Sequence, residues 1–235
     1  MNDIVPNERH NAAALSGVTM MVQKPLLIVA PTIYRYMPTE YVDAFFETGA
    51  LRLSCISQFK KHSDEFQGDI EEGGAYVYQN NSGQHFSAYV TRGREAYMLS
   101  FTSSTRNMSA AFGDAAIEIF SPIEFCAAVG NEIPGLLAME MGPCIYEEHR
   151  MLQSAKKPPA VDELKDENGN ILLERIMAQV SEISGPKLLF LKSLKYEMQM
   201  EYRLIWHVNR EVFEPLIIHL KNPELFCRKV VRPSW

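Results

Sequence analysis

The sequence predicts an α+β fold in which a few short helices pack against split antiparallel β-sheets. Short runs of β-forming residues, such as residues 97–101 and 115–120, are separated by Gly, Asn and Ser, as is typical of antiparallel strands joined by turns. The 235 residues are 46% hydrophobic and 22% charged, which is the composition of a globular domain and excludes a chain disordered throughout. We therefore expect a single domain over residues 25–235.

The N-terminal part of the chain predicts an arm followed by the first strand and helix. Residues 1–24 are mostly polar and aperiodic, so we expect them to form a flexible arm. Folded structure should begin with residues 25–36. Thr39 should then cap a short helix that Gly49 ends, because a Thr hydroxyl accepts free amides at helix starts and Gly tolerates the left-handed conformation at helix ends.

The middle of the chain predicts several strands and one capped helix. Ser121, Pro122 and Glu124 are typical of a helix start, since Ser accepts a free amide, Pro suits the first position and Glu completes a capping box. This helix should end near Gly130. Strands are expected at residues 51–55, 76–78, 85–91, 97–101 and 115–120, with a turn at residues 80–83.

The C-terminal third predicts a surface segment, a helix and three strands. Residues near 152–170 contain consecutive prolines and a charged run with almost no apolar residues, so we expect a mobile surface excursion there. Apolar residues at near-helical spacing between Ile171 and Ile183 predict a helix that Gly185 and Pro186 end. The strand-like runs that follow are residues 188–194, 202–208 and 216–220.

Charge and composition narrow the classes of function. Lys plus Arg number 23 against 29 for Asp plus Glu, so the net charge of −6 gives no global electrostatic reason to bind nucleic acid. The four cysteines lie far apart without His at zinc-site spacing, so we expect no metal. Residues 26–31, the longest N-terminal apolar run, are too short to span a bilayer and follow no basic signal start, which predicts a cytoplasmic protein with no membrane partner.

Two segments place polar residues in strand-like surroundings. Arg35 lies between Tyr34 and Tyr36, where a cation beside two rings could pair with a phosphate or carboxylate. An edge-strand Arg that faces solvent would show the same pattern. Hydroxyl side chains over residues 100–105 follow an apolar strand, and they suit either a polar planar ligand or a local Ser/Thr-rich turn.

A third polar segment lies before the strand at residues 202–208. In an extended chain Glu197, Gln199 and Glu201 would point to one face. Such a row is either a solvated edge or a site for a cationic, hydroxyl-bearing species, because burying carboxylates without partners is costly. At about 3.3 Å per residue the two carboxylates would lie about 13 Å apart, so only one could contact a reacting group. Glu201 is favoured because an apolar run follows it.

The three segments together resemble the signatures of ADP-ribosyltransferases of the Arg-Ser-Glu class, in the same order along the chain. The matching positions are Arg35, the hydroxyl strand, and Gln199 with Glu201 in a Gln-x-Glu pattern. Residues 33–208 also resemble a widespread bacterial family of unknown function. The hydroxyl strand reads Ser-Phe-Thr-Ser and not Ser-Thr-Ser, which leaves three alternatives for the key position: Ser100, Thr102 and Ser103.

The resemblance implies an ADP-ribosyltransferase-like fold that consumes NAD as co-substrate without a metal. Glu201 would be the catalytic carboxylate, Gln199 would face the acceptor, and Arg35 would pair with the dinucleotide phosphates. The remaining residues would bind the cofactor: Tyr34, Tyr36 or Phe101 would stack on nicotinamide, and Ser100 or Ser103 would orient the carboxylate.

The same resemblance implies a macromolecular acceptor, either protein or nucleic acid, and a role as a bacterial toxin or anti-phage defence effector with an antitoxin or regulatory partner. The alternative is a non-catalytic module on the same fold that binds a nucleotide or a partner protein. A thiol nucleophile at Cys144 with His149 has less support, because five residues of spacing say nothing about geometry and buried cysteines are common.

Overall fold

The computed structural model describes residues 30–59, 71–81, 84–104, 112–154 and 156–231. It shows the mixed α+β class that the sequence predicts, with mostly antiparallel sheets and few helices. The expected N-terminal arm, residues 1–24, lies outside these ranges. No helix within them is both long enough and apolar enough to cross a membrane.

Thirteen strands and four α-helices follow one another along the described chain. The first half contains β1 (Ile33–Met37), α1 (Thr39–Thr48), β2 (Ala50–Cys55), α2 (Ile56–Phe59), β3 (Gly74–Asn81), β4 (Gln84–Thr91), β5 (Ala96–Thr102) and β6 (Ala115–Ile119). The second half contains α3 (Pro122–Asn131), β7 (Leu136–Pro143), β8 (Ile145–Glu147), β9 (Met151–Ser154), α4 (Leu173–Ser184), β10 (Leu191–Ser193), β11 (Glu201–Val208), β12 (Leu216–His219) and β13 (Cys227–Val231).

The largest sheet has eight strands and divides at β5. Along one edge β5 pairs with β11, from Glu201 opposite Thr102 to His207 opposite Ala96, and β11 then pairs with β7. The other edge of β5 is shared by two strands. Its start pairs with β2, which continues to β12, and its end pairs with β1, which continues to β6 and β13.

This division leaves a gap beside the middle of β5. On the shared edge, the last partner of β2 is Met98 and the first partner of β1 is Thr102. Residues 99–101 therefore have no strand partner on that edge. Because β1 and β2 diverge there, the sheet opens into a cleft whose floor is β5 and β11.

Side-chain alternation along β11 separates the core from the cleft. Tyr202, Leu204 and Trp206 point into the main core. The indole of Trp206 is fully buried and donates a 3.0 Å hydrogen bond to the carbonyl of Cys126 in α3. Burial of a large apolar side chain contributes about 1.5–3 kcal/mol, so this face anchors the strand. Glu201 and Arg203 consequently point to the opposite face.

Two smaller sheets complete the structure and include parallel pairings that the sequence analysis did not predict. β3 pairs antiparallel with β4 and parallel with β9, and α4 packs on this sheet through Val180 against Val77 and Leu152. β10 pairs parallel with β8, with Lys192 opposite Tyr146. The parallel pairs join strands distant in sequence, which local turn signals cannot indicate.

The helix ends agree with the sequence prediction in part. Gly49 ends α1 with φ +71°, as predicted. Thr39 does not cap the helix with its side chain; instead its backbone amide donates to Asp114 Oδ1 at 2.9 Å, so the cap comes from a distant loop. Ser121 precedes α3 with Pro122 at the first position, but its hydroxyl makes no capping hydrogen bond.

The strand predicted at residues 188–194 is confirmed only at Leu191–Ser193. The chain forms a 3₁₀-helix over Gly185–Phe190, then the short β10, then a second 3₁₀-helix over Leu194–Gln199. Leu188 and Leu191 pack into the cluster beneath α4, while Leu189 packs against Met98 on the cleft face of β5. A strand has a period of two and would place Leu188 with Phe190, whereas the three-residue turn of a 3₁₀-helix places Leu188 with Leu191 and leaves Leu189 and Phe190 for the other cluster.

The surface segment after β9 is expected to exchange its amide hydrogens rapidly. Most residues over 156–170 are exposed or half-buried, and they include one turn of 3₁₀-helix at Val161–Leu164 and a bridge between Lys165 and Ile171. Because few buried contacts protect these amides, they are expected to exchange much faster than the amides of β11. Protection across 156–170 equal to that of β11 would show that the segment belongs to the stable core.

Candidate functional site

A cleft of about 810 Å³ occupies the gap between β1 and β2. This volume lies within the usual range for a small-molecule site, about 300–1,000 Å³. Its walls come from β1, β2 and α1, and its floor comes from β5, β10 and β11. The candidate residues that line it are Tyr34, Arg35, Tyr36, Ser100, Phe101, Thr102, Gln199 and Glu201.

Glu201 lies at the centre of a hydrogen-bond network on the floor of the cleft. Its Oε1 accepts from Ser100 Oγ at 2.6 Å and from Arg203 Nε at 2.7 Å. Its Oε2 accepts from Lys192 Nζ. The carboxylate is therefore held in one orientation by groups from three different strands.

Backbone conformation and backbone hydrogen bonds hold Glu201 in a fixed position at the start of β11. Met200 adopts a left-handed conformation with φ +43°, so the chain turns sharply from the 3₁₀-helix into β11. The Glu201 amide donates to the hydroxyl of Tyr146 at 2.7 Å, and its carbonyl accepts from the Cys144 amide at 2.8 Å. Both backbone groups of Glu201 are thus satisfied at the strand end, which makes the position rigid.

The carboxyl of Glu201 is ionised despite its burial. Burial alone would raise the pKa of the Glu201 carboxyl, but the charges and hydrogen bonds of Arg203 and Lys192 outweigh this effect and hold the pKa well below its ordinary value. The side chain is only 4% exposed. A buried, ionised carboxylate at the bottom of a cleft is a strong electrostatic feature.

Arg203 connects this carboxylate to a second one. Its Nη1 donates to Glu72 Oε1 at 2.7 Å and its Nη2 donates to Glu72 Oε2 at 3.1 Å, which is a bidentate pair. Nη1 also donates to the carbonyl of Leu189 at 2.5 Å. Arg203 and Glu72 are both almost completely buried, so each charge depends on the other for compensation.

The structure distinguishes the three hydroxyls that the sequence left as alternatives. Ser100 Oγ donates to Glu201, as given above. Thr102 Oγ1 accepts from the backbone amide of Ser104 at 3.0 Å, which is a local turn contact. Ser103 Oγ donates to the carbonyl of Met200 at 3.3 Å, and the residue is half-buried. Ser100 is therefore the hydroxyl that orients the carboxylate.

Arg35 reaches across the gap from β1. Its Nη1 donates to the carbonyl of Ser100 at 2.9 Å, and its guanidinium lies 6.0 Å from the ring centre of Phe101. Burial, together with the charge of nearby Arg52, lowers the pKa of the Arg35 guanidinium to about 10, so it remains protonated at neutral pH. Within the described ranges, no carboxylate forms an ion pair with Arg35 or Arg52.

The cleft has an excess of positive charge although the protein is acidic. Its charged lining consists of four cations, Arg35, Arg52, Lys192 and Arg203, and two carboxylates, Glu72 and Glu201. The two carboxylates are compensated by Lys192 and Arg203. Arg35 and Arg52 are left facing the open part of the cleft, which favours a ligand that carries negative charge.

Gln199 and Glu197 do not lie on the strand of Glu201 as the sequence predicted. Both belong to the 3₁₀-helix, because the strand begins only at Glu201. Gln199 nevertheless lines the cleft, where its Oε1 accepts from Lys192 Nζ at 2.7 Å. Glu197 is exposed, as expected for the carboxylate that takes no part in the site.

The three aromatic candidates have different surroundings. Phe101 is 4% exposed and makes an edge contact with Phe125 in the core, with Arg35 above it, so little of its ring remains for a ligand. Tyr34 and Tyr36 are half-buried in the cleft wall. The latter two are therefore the better positioned rings for stacking.

Four site residues were missed by the sequence analysis as functional side chains: Arg52, Glu72, Lys192 and Arg203. A signal for Arg203 existed, because a residue two positions after Glu201 on a strand shares its face. No comparable signal marks Glu72, which pairs with Arg203 across 131 residues of sequence. Lys192 precedes Glu201 by nine residues with a 3₁₀-helix between them, so strand periodicity could not relate the two.

Other catalytic chemistries find little support in the described residues. Burial raises the pKa of the Cys144 thiol to about 12, so it stays protonated at neutral pH and is a poor nucleophile. His149 is exposed, whereas Cys144 is buried. In the ranges that the structure covers, no group of three His, Cys, Asp or Glu residues is arranged to hold a metal ion.

The chain was compared with protein-family models, with curated proteins and with solved structures. None of the three comparisons gave a significant match. The function is therefore argued from the cleft and its side chains.

Proposed function

We propose that this protein is an NAD-dependent ADP-ribosyltransferase that modifies a protein or nucleic-acid acceptor. The observation that carries the proposal is the hydrogen bond of 2.6 Å from Ser100 to the ionised Glu201, opposite Arg35 in one cleft. These three residue types in one site are those that the chemistry needs: a fixed carboxylate, a hydroxyl that orients it, and a guanidinium for phosphate.

In this reaction the bond between ribose C1′ and the nicotinamide nitrogen breaks, and nicotinamide leaves with the bonding electrons as a neutral molecule. Positive charge develops on the ribose ring, and the acceptor then forms a bond to C1′ and loses a proton. The Glu201 carboxylate would stabilise this charge and hold a ribose hydroxyl. Removing one preorganised group of this kind costs about 3–4 kcal/mol of transition-state stabilisation.

The positive charge around Arg35 and Arg52 would bind the two phosphates of NAD. The charge of Arg52 acts on Arg35, so the two guanidinium groups repel one another in the free protein. A diphosphate between them would relieve this repulsion and form charge-assisted hydrogen bonds with both. Tyr34 or Tyr36 would stack on the nicotinamide ring.

A second candidate function, a non-catalytic nucleotide-binding module, is favoured by one specific observation. Lys192 and Arg203 both contact Glu201, and their charges weaken the field that the carboxylate exerts on a developing cation. A site that only binds ADP-ribose or NAD would show the same charge excess. Release of nicotinamide from NAD, measured by chromatography, separates the two functions, because only the transferase releases it.

Replacing Arg35 by Gln is expected to weaken NAD binding about 10- to 100-fold, since a charge-assisted hydrogen bond contributes about 1.5–3 kcal/mol. Calorimetric titration measures this. Arg94→Gln is the matched control, because the Arg94 side chain is 70% exposed and pairs with Glu211 at the surface. If Arg35→Gln and the wild type bound NAD with equal affinity, Arg35 would not be a phosphate-binding residue.

Replacing Ser100 by Ala is expected to lower NAD turnover about 10-fold with little change in NAD affinity, because the hydroxyl orients Glu201 and does not itself hold phosphate. Ser103→Ala is the control, as its hydroxyl contacts only the Met200 carbonyl. If Ser103→Ala lowered turnover more than Ser100→Ala, the assignment of the key hydroxyl would be wrong.

A further inference from the structure

Lys192 is the side chain in the cleft whose arrangement the proposed reaction does not explain. It lies on β10, is 8% exposed, and donates from Nζ to Glu201 Oε2 and to Gln199 Oε1. The same Nζ lies 4.7 Å from the ring centre of Tyr196, which lines the cleft beside it. A buried lysine in this position carries a desolvation cost that a neutral residue would avoid.

Counting donors and acceptors shows what remains for a ligand. An ammonium group has three N–H donors, and two of those of Lys192 are used; among the residues described here, none accepts the third. Within the part of the chain that the structure describes, Glu201 Oε1 accepts two hydrogen bonds, whereas Oε2 accepts one, from Lys192. One donor and one acceptor are thus left side by side at the floor of the cleft.

A neutral hydroxyl matches this pair better than other common ligand groups. It can donate to Glu201 Oε2 and accept from Lys192 Nζ at the same time. A ligand carboxylate would meet the charge of Glu201, and a ligand ammonium would meet the charge of Lys192. A methylene in the same place would leave the third N–H of Lys192 and the second acceptor position of Glu201 Oε2 unpaired, which is costly.

We infer that Lys192 is a specificity-determining residue that, together with Glu201, binds one of the two vicinal hydroxyls of a ribose and so selects ribonucleotides over their deoxy analogues. The inference rests on the proposed function for placing the nicotinamide ribose of NAD at this point. It assigns Lys192 a contact with the ligand in addition to its contact with Glu201.

A purely structural role would have a different signature. If Lys192 only compensated the charge of Glu201, its removal would weaken the binding of NAD and of its deoxy analogues by the same factor. If Lys192 also contacts the hydroxyl, its removal weakens the binding of NAD more than that of the analogue that lacks this hydroxyl. The ratio of the two affinities is therefore the informative quantity.

The experiment is a calorimetric titration of the full chain with NAD and with its two analogues that lack the 2′- or the 3′-hydroxyl of the nicotinamide ribose. The wild type should bind NAD about 10- to 100-fold more tightly than the analogue that lacks the contacted hydroxyl. In Lys192→Met this ratio should fall to about threefold or less. Lys195→Met is the matched control, because Lys195 also lies 4.7 Å from the Tyr196 ring but does not line the cleft, and it should keep the wild-type ratio.

Each outcome decides the inference. Equal affinity of the wild type for NAD and both analogues would overturn the inference without any variant. The inference can therefore be tested even if Lys192→Met fails to fold. An unchanged ratio in folded Lys192→Met would overturn it as well. Absence of NAD binding to the wild type would overturn both this inference and the proposed function. Binding with the expected ratio but without nicotinamide release would support the assignment of Lys192 and contradict only the transferase reaction.

Discussion

Replacing Glu201 by Gln should lower NAD turnover by about two orders of magnitude or more, because it keeps the shape of the side chain but removes the charge that stabilises the ribose cation. The assay is nicotinamide release at saturating NAD. The substitution also leaves Lys192 without its carboxylate partner, so some loss of stability accompanies it. Turnover is therefore measured well below the melting temperature of the variant, with circular dichroism to show that it is folded.

Glu197→Gln is the matched control for this experiment. It makes the same chemical change four residues earlier, on an exposed side chain of the 3₁₀-helix. Turnover of Glu197→Gln should remain close to that of the wild type. If Glu201→Gln kept full turnover in an assay where the wild type is active, Glu201 would not be the catalytic carboxylate and the binding module would become the better account.

Replacing Arg203 by Ala is expected to reduce the free energy of unfolding by about 3–5 kcal/mol, the usual cost of removing one partner from a buried ion pair. Arg203 is 1% exposed and compensates Glu72 and Glu201 together. Its loss would leave Glu72 without a cation and Glu201 with Lys192 alone. Urea denaturation followed by circular dichroism measures the change.

Arg94→Ala tests whether burial is the cause of this loss. The Arg94–Glu211 pair has 70% and 50% of its side chains exposed, so water already solvates both charges. The unfolding curve of Arg94→Ala should therefore superimpose closely on that of the wild type. A similar loss of unfolding free energy in both variants would mean that the buried ion pairs of Arg203 stabilise the protein no more than an exposed pair does.

Local signals predicted the parts of the fold that depend on neighbouring residues. Gly49 was predicted to end α1, since only the left-handed conformation there closes the helix before β2. The strand-like run at residues 202–208 predicted the strand that the structure shows as Glu201–Val208. In contrast, the cap of α1 comes from Asp114, 75 residues away, and no local pattern indicates it.

The types of residue in the site could be predicted from the sequence, but the contacts between them could not. The resemblance singled out Arg35, one hydroxyl among Ser100, Thr102 and Ser103, and Glu201, and the structure places Arg35, Ser100 and Glu201 in one cleft. The position of Gln199 was mistaken, because an extended strand and a 3₁₀-helix were equally compatible with its neighbours. In the structure Met200 turns sharply with φ +43°, so the 3₁₀-helix ends at Gln199 and the strand begins at Glu201.

The pairing of Glu72 with Arg203 shows why sequence alone could not complete the site. A buried carboxylate is tolerated only when a cation reaches it, yet that cation lies on a strand at the other end of the chain. From the sequence, Glu72 is one of many acidic residues in a charged stretch. Its role becomes visible only when the fold brings β11 beside the start of β3.

The most direct test of the account is to incubate the purified protein with NAD labelled in its adenylate phosphate, in the presence of a cell lysate. Nicotinamide release and the label in the protein and nucleic-acid fractions are then measured. We predict that label enters one of the two fractions, that nicotinamide appears in at least equal amount, and that Glu201→Gln abolishes both. Intact NAD after prolonged incubation, at concentrations where titration shows the cleft to be saturated, would contradict the transferase function.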